Sequence, residues 1–218
     1  MNNSSTNDYL AADQYFDLQN PDVLRYVHKK LEHEKSKPIQ IIKLYKAVRD
    51  DFKYDPYSTI FDMESFKASR VLNLGRGHCI DKASFLVACY RVAGIPARLG
   101  LAKVKNHIAT EKLEKVLKSN VLTPHGYVEV FSENKWVKCT PAFNKELCEK
   151  LRVPALDFDG KNDSIFQSYN KEGGKFMEYL EDYGTYDKFP YEFIISNFKQ
   201  HYPHLFEENG TMKKIEIL

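Results

Sequence analysis

The feature that constrains the fold most is a predominantly apolar segment between residues 79 and 93. Its apolar residues fall on nearly every side of a helix, so a helix formed there has little polar surface and is expected to be buried. The segment begins at Cys79, directly after Gly75-Arg76-Gly77, and it stops at Gly94, with Pro96 beyond. The sequence therefore predicts a central helix that the rest of the chain surrounds.

Two further helices are predicted before this segment. Residues 21–34 form the first, with Asn20 as the cap and Pro21 at the first helical position. Residues 38–52 carry apolar side chains at helical spacing and predict the second, amphipathic helix. The basic stretch from 104 to 118 is interrupted by glutamates, and we interpret it as the solvated face of a helix or loop.

Strand patterns follow the central helix. They occupy residues 98–104, 125–131 and 136–140, and the last two predict an antiparallel hairpin across a Ser-Glu-Asn-Lys turn. Residues 145–218 give only short, irregular helical patterns and are expected to wrap the core. An α+β fold follows, in which N-terminal helices and the buried helix pack on a small antiparallel sheet.

Length and charge limit the organisation and the partners. With 218 residues, 43% of them hydrophobic, we expect a single domain over 13–218 after a disordered start at 1–12. A net charge of +2 argues against nucleic-acid or anionic-membrane partners. No secretory pattern and no apolar run long enough to cross a bilayer is apparent, so we expect a cytoplasmic protein.

The four cysteines are not spaced for metal or disulfide frameworks. They stand at 79, 89, 139 and 148, with no CxxC pair and no histidine pair at zinc spacing. Phosphate-loop, dinucleotide and calcium-loop patterns are also missing from the sequence. We therefore expect no cofactor and no metal.

Cys79 is the candidate nucleophile. A thiol attacks as its thiolate, and unpaired N–H groups in the first turn of a helix favour negative charge there, so we expect a lowered pKa. Gly75 and Gly77 permit a tight backbone turn in front of the thiol, with room for a substrate carbonyl. Cys89 and Cys139 are expected to lie in the core, and Cys148 carries no clear signal.

His125 is the candidate base, because it alone among seven histidines begins a convincing strand. A turn centred on Glu133-Asn134 sets the register of the hairpin. The predicted cross-strand pairs are Phe131 with Trp136, Glu129 with Lys138, and Tyr127 with Thr140. This register puts His125 and Thr140 on one face, so Thr140 is the first candidate to orient the imidazole.

Four ordered motifs carry a family resemblance. They are Arg-Gly-His-Cys ending at Cys79, Gly-Ile-Pro-Ala-Arg ending at Arg98, the strand opening at His125, and Trp136 followed four residues later by Thr140. Together they resemble the transglutaminase-like superfamily over about residues 41–144. The resemblance implies a papain-like core and a Cys, His, Asp triad that transfers acyl groups through a thioester.

The third triad position departs from the family pattern, since Thr140 stands where an aspartate is usual. A hydroxyl can hold the tautomer of an imidazole but cannot stabilise an imidazolium by charge. Asp159 is the second candidate for this role, and Asp157 and Asn144 are further alternatives. Gly77, His78 and Tyr54 are possible lining residues, and Trp136 either packs under the hairpin or walls the site.

Two hypotheses of function stay open. The leading one is a cysteine enzyme, transglutaminase-like or protease- or amidase-like, that acts on amide or peptide bonds of a peptide, protein, or small amine or amide substrate. The alternative, prompted by Thr140, is an impaired domain that binds a peptide or protein. The sequence leaves the choice between transferase and hydrolase and the oligomeric state open.

Overall fold

A computed structural model of the protein describes residues 7–57, 62–107, 111–165, 172–209, 211 and 213, with the backbone alone at 111. Seven α-helices and six strands are assigned within this part of the chain. In chain order they are α1 (Pro21–Leu31), α2 (Lys37–Asp51), β1 (Lys53–Tyr54), α3 (Ser69–Leu74), β2 (Arg76–Gly77), α4 (Cys79–Val92), β3 (Ala97–Asn106), α5 (Glu111–Leu117), β4 (Val121–Ser132), β5 (Lys135–Cys139), α6 (Lys145–Lys150), β6 (Met177–Tyr186) and α7 (Tyr191–His201).

The central helix is α4, as the sequence predicts. Every residue from Cys79 to Arg91 is buried, including the polar Asp81, Lys82 and Ser84. The helix packs against β4 and β3 on one side and against α1, α2 and α3 on the other. Its position fixes Cys79 at the boundary between the helical layer and the sheet.

Lys82 joins α4 to two neighbouring segments. Its ammonium donates to the carbonyls of Arg49 at 2.9 Å and Phe52 at 2.8 Å, at the end of α2, and to that of Ala142 at 2.8 Å. Since the side chain is wholly buried, these bonds satisfy a charge that would otherwise be costly. Burial still lowers the pKa of Lys82 to about 7. The segment after β5 is thereby tied to α4.

Four strands form one antiparallel sheet in the order β5-β4-β3-β6. A small parallel pair, β1 with β2, lies in front of α4. The predicted hairpin register is confirmed where Phe131 pairs with Trp136 and Glu129 with Lys138. The α+β class with a buried helix on a small antiparallel sheet is therefore confirmed.

Two details of the hairpin differ from the prediction. The strand begins at Val121, not at His125, because pairing with β3 resumes at Leu122 after the unpaired Thr123 and Pro124; the proline, which has no N–H to donate, conceals the continuation. At the other end, Cys139 pairs with Val128 and closes β5. The N–H of Thr140 donates to the carbonyl of Ser164 at 3.0 Å, so the predicted pair of Tyr127 with Thr140 is wrong.

The C-terminal part is more regular than its sequence suggests. Strand β6 pairs with β3 along the edge of the sheet, and α7 packs against β4. Glu178, Glu181 and Asp182 belong to the part of the sequence that gives only irregular helical patterns, but they lie on a strand. An edge strand is largely exposed, and this one has two register shifts, so the alternation that reveals a strand is weak.

At the N-terminus, residues 1–6 of the predicted disordered start lie outside the described part of the chain. Asp8–Leu10 form a short 3-10 helix. Tyr9 packs edge to face on Trp136, with ring centroids 4.9 Å apart. None of the helices in the described residues has the length and apolar character needed to span a membrane.

Candidate active site

Cys79 is the first residue of α4, and His78 caps the helix in front of it. The N–H of His78 donates to Asp81 Oδ2 at 3.0 Å. The helix start lies directly against β4: a Cβ added to Gly126 would be 2.8 Å from the Cα of Ile80 and 3.0 Å from the carbonyl oxygen of Cys79. Only glycine permits this approach, which brings the peptide between His125 and Gly126 to the thiol.

The thiol is protonated at neutral pH, which corrects the expectation of a lowered pKa. Burial raises the pKa of Cys79 to about 12, and the nearby Asp81 carboxylate adds to the rise. The backbone N–H groups of Gly126 and Ile80 act in the opposite direction, as expected at a helix start. The side chain is only 6% exposed, so the loss of hydration outweighs these favourable N–H groups.

His125 is neutral as well. Burial, together with a smaller effect of the neighbouring His78, lowers its pKa to about 4. His125 lines a small internal cavity together with Thr140, Ala142 and Phe143. Neither His125 Nδ1 nor Thr140 Oγ1 makes a hydrogen bond within the described part of the chain. The fold thus brings the predicted base and orienter to one cavity, but no hydrogen bond reaches the Thr140 hydroxyl there.

His78 and Asp81 form a second imidazole and carboxylate pair beside the thiol. Both are buried, and His78 Nδ1 lies 2.6 Å from Asp81 Oδ2. The backbone N–H of Asp81 is 3.4 Å from the same nitrogen. One nitrogen cannot donate and accept at once, and the shorter contact requires a proton on Nδ1. Nε2 is therefore the acceptor in the neutral ring, and it is buried with no hydrogen-bond partner among the described residues.

Cys79 opens on an apolar pocket that the sequence does not reveal. His78, Tyr54, Pro56, Leu122, Thr123 and Pro124 line it near the thiol. Helix α5, helix α7 and the 3-10 helix at Pro203–Leu205 form the remaining wall, through Leu113, Val116, Leu117, Phe198, Tyr202 and Leu205. The only sequence signal for it is the spacing of Leu113, Val116 and Leu117, which places them on one side of α5.

The other predicted site residues divide into two groups. Tyr54 and His78 both line the Cys79 pocket. Gly77 directly precedes His78, and a Cβ added to it would lie 2.8 Å from the Cβ of Asp81. Trp136 and Asp159 do not line the pocket. Trp136 packs on Tyr9, Phe131 and the guanidinium of Arg98. Asp159 is exposed and accepts from the N–H groups of Lys161 and Asn162.

The remaining alternatives to Thr140 are also engaged elsewhere. Asp157 accepts from Arg49 Nη1 at 2.7 Å, and Asn144 Oδ1 accepts from the N–H of Tyr54 at 3.0 Å. Arg98, the last residue of the Gly-Ile-Pro-Ala-Arg motif, is not an alternative to Thr140; it pairs with Glu129, with Nε 2.7 Å from Oε2. Of the candidates for orienting His125, Thr140 alone lines the same cavity as the imidazole in the described part of the chain.

Comparison with known proteins finds one family match and several structures of similar fold. The core of the transglutaminase-like superfamily matches residues 25–141, which is more than half of the chain. No curated protein sequence matches it. A "putative cysteine protease" from Cytophaga hutchinsonii is similar in structure, at 13% identity and a TM-score of 0.48, over 82% of this chain and 53% of that one.

A "putative protease" from Parabacteroides distasonis is similar at 14% identity and a TM-score of 0.41, over 63% of this chain and 26% of that one. This chain therefore spans about half of the first solved chain and about a quarter of the second. The extent of the superfamily match decides the assignment. The chain belongs to the transglutaminase-like superfamily.

Proposed function

We propose that the protein is a cysteine enzyme that transfers acyl groups from amide or peptide bonds through a thioester on Cys79. The observation that carries the proposal is the Cys79 thiol at the first turn of α4, which lines the pocket and has the backbone N–H groups of Gly126, Ile80 and Cys79 itself within hydrogen-bond reach. Membership of the superfamily supports it. The substrates we propose are peptides, proteins, or small amines and amides.

The neutral state of both groups sets the order of events. Cys79 holds its proton and His125 is free to accept one, since their pKa values lie at about 12 and about 4. As the sulfur attacks the carbonyl carbon, the C–S bond forms and the thiol proton passes to the imidazole. The C–N bond then breaks, and the departing amine takes that proton. Water or an amine finally attacks the thioester and releases the thiol.

The test is turnover of a panel of peptide amides and anilides, with acid quenching and intact-mass analysis to detect the thioester. We expect Cys79→Ala to abolish turnover and the acyl adduct, and His125→Ala to lower turnover by about a hundredfold or more. Cys148→Ala is the matched control, because Cys148 lies on α6 and does not line the pocket. Equal loss in that control would contradict a special role for Cys79.

Hydroxylamine separates the two reaction types. A transferase forms the hydroxamate of the acyl group in preference to the free acid at modest hydroxylamine concentration, whereas a hydrolase forms mainly the acid. The ratio of the two products measures whether an amine or water reaches the thioester first.

A second candidate is a peptide-binding domain without catalysis, and Thr140 is the observation that favours it. A missing carboxylate weakens a triad by up to about four orders of magnitude in serine enzymes. If this candidate holds, Cys79→Ala binds the same peptides as the wild type, and no amide is turned over. Any turnover that disappears in Cys79→Ala excludes it.

A further inference from the structure

The pocket at Cys79 is apolar in character. No lysine, arginine, aspartate or glutamate is among the described residues that line it. Lys112, Glu114 and Lys115 of α5 are exposed, while Leu113 is buried and lines the pocket with Val116 and Leu117. Helix α5 therefore presents its apolar side to the thiol and its charged side to solvent.

Away from the thiol, the polar side chains in the wall are those of Thr123 and Tyr202, and both are hydrogen-bonded within the protein. Tyr202 donates its hydroxyl proton to the carbonyl of Val121 at 2.7 Å and accepts from the N–H of Thr123 at 2.9 Å. Thr123 Oγ1 lies 2.9 Å from Asn197 Oδ1 and 2.9 Å from the Tyr183 hydroxyl. A polar substrate group in this part of the pocket loses its water without gaining a new partner, which disfavours it.

We propose that this pocket receives an apolar acyl group, either an alkyl chain or an apolar side chain, whose carbonyl is attacked by Cys79. The inference rests on the proposed function and specifies its substrate class. Burial of the acyl group against Val116, Leu117 and Leu205 supplies the binding free energy. A primary carboxamide, such as that of a glutamine side chain, is disfavoured because the lining away from the thiol is formed mainly by Leu, Val, Phe and Pro side chains, and its polar groups at Thr123 and Tyr202 are already hydrogen-bonded.

Part of this specificity belongs to the C-terminal part of the chain. Phe198, Tyr202 and Leu205 lie beyond residues 25–141, the span that matches the superfamily core. The core supplies Cys79 and His125, whereas the segment after it closes the acyl pocket. Selection of the acyl group is accordingly a property of this chain and need not be shared across the superfamily.

Single-turnover acylation by p-nitrophenyl esters tests the inference. The sulfur displaces p-nitrophenolate from the ester, the thiol proton passes to His125 and then to solvent, and release of the chromophore reports the rate. We expect the rate to rise roughly two- to fourfold per methylene from acetyl to hexanoyl, because each methylene leaves water for the apolar pocket. The rate for each ester is divided by its rate with a free model thiol.

Aminoacyl esters form the second arm. We expect the N-acetylleucine and N-acetylphenylalanine esters to acylate Cys79 at least tenfold faster than the N-acetylglutamine ester. If the alkanoyl esters are faster than the leucine ester, the acyl group is a simple chain. If the leucine or phenylalanine ester is faster, it is the side chain of a peptide. Both results support an apolar pocket.

Two variants locate the effect. Val116→Glu places a carboxylate in the pocket and should remove the preference for long chains, whereas Lys112→Glu, on the exposed side of α5, should retain it. Leu205→Phe fills part of the pocket and should shift the optimum to shorter chains, which keeps the test decisive if Val116→Glu fails to fold.

Two different results would contradict the inference, and only one of them also contradicts the proposed function. If the acetyl ester acylates Cys79 but the rate is flat or falls with chain length, or the glutamine ester is the fastest, the pocket inference is overturned and the proposed function stands. If no ester acylates Cys79, the proposed function fails and the inference fails with it.

Discussion

At the scale of single residues, the chemistry of the site depends on what surrounds His125. The imidazole is buried, and Thr140 lines its cavity where the superfamily usually has an aspartate. A hydroxyl brings no charge, so an imidazolium formed during attack is stabilised by nothing stronger than a dipole at this position. Position 140 is therefore where a substitution can add a negative charge beside His125.

Thr140→Asp should raise turnover, on the order of tenfold or more, because a carboxylate stabilises the imidazolium that forms as Cys79 loses its proton. The pKa of His125 should rise in the same variant. Thr140→Asn is the control, since it changes the polar group without adding charge. The acylation rate against pH measures both effects, and a Thr140→Asp protein with the activity and pH profile of the asparagine variant would contradict the prediction.

The lowered pKa of His125 also makes stability depend on pH. In the folded protein the His125 imidazole becomes protonated only below about pH 4, whereas in the unfolded chain it becomes protonated near pH 6.5. The free energy of unfolding is therefore at its full value above pH 6.5, and it decreases as the pH falls from 6.5 towards 4, because protonation then favours the unfolded chain. Between pH 7 and pH 4, the free energy of unfolding measured in urea should decrease by roughly 2–3 kcal/mol more for the wild type than for His125→Gln. Identical pH slopes for the two proteins would refute this.

At the scale of elements, α4 holds the site together through the buried Lys82. One ammonium connects the end of α2 to α4 and to the segment that follows β5, two residues from Thr140. The position of the Thr140 cavity relative to Cys79 is thereby set by hydrogen bonds as well as by apolar packing.

Lys82→Met keeps the length and apolar stem of the side chain but leaves three buried carbonyls without their donor. We expect a loss of about 3 kcal/mol or more in the free energy of unfolding. Turnover should fall as well, because the segment after β5 is released. Lys46→Met, on the exposed side of α2, should change the free energy of unfolding by less than about 0.5 kcal/mol. Equal stability of the two variants would show that the bonds of Lys82 contribute nothing.

At the scale of the whole molecule, the C-terminal part completes both the sheet and the pocket. Strand β6 covers the edge of β3, and the segment after α7 holds the start of β4 through the Tyr202 hydroxyl. Tyr202→Phe should destabilise the protein by about 1–2 kcal/mol, since it leaves the buried Thr123 N–H unpaired. It should also raise KM for apolar esters more than it lowers kcat, which steady-state kinetics measures. A change in kcat alone would argue against a positioning role.

The sequence predicts the parts of this molecule that are buried on all sides. Helix α4 is recognisable because most of its positions are apolar on every side, and the hairpin register follows from two turn residues and the pairs Phe131–Trp136 and Glu129–Lys138. Strand β6 escapes prediction because an exposed edge strand has little alternation. The raised pKa of Cys79 could not be predicted from the sequence, because the thiol loses its hydration when segments distant in the chain pack over it. The residues adjacent to Cys79 give no sign of this packing.

The protonated, buried state of Cys79 has a consequence for how the protein survives oxidants. Peroxide reacts with thiolates, and a thiol with a pKa of about 12 supplies very little thiolate at pH 7. The other three cysteines are also buried and form no disulfide in the described part of the chain. The protein should therefore keep all four cysteines reduced during days in air without reductant and tolerate peroxide that inactivates enzymes with a preformed thiolate. If Cys79 is the nucleophile we propose, its low reactivity in the resting state preserves it until a substrate binds.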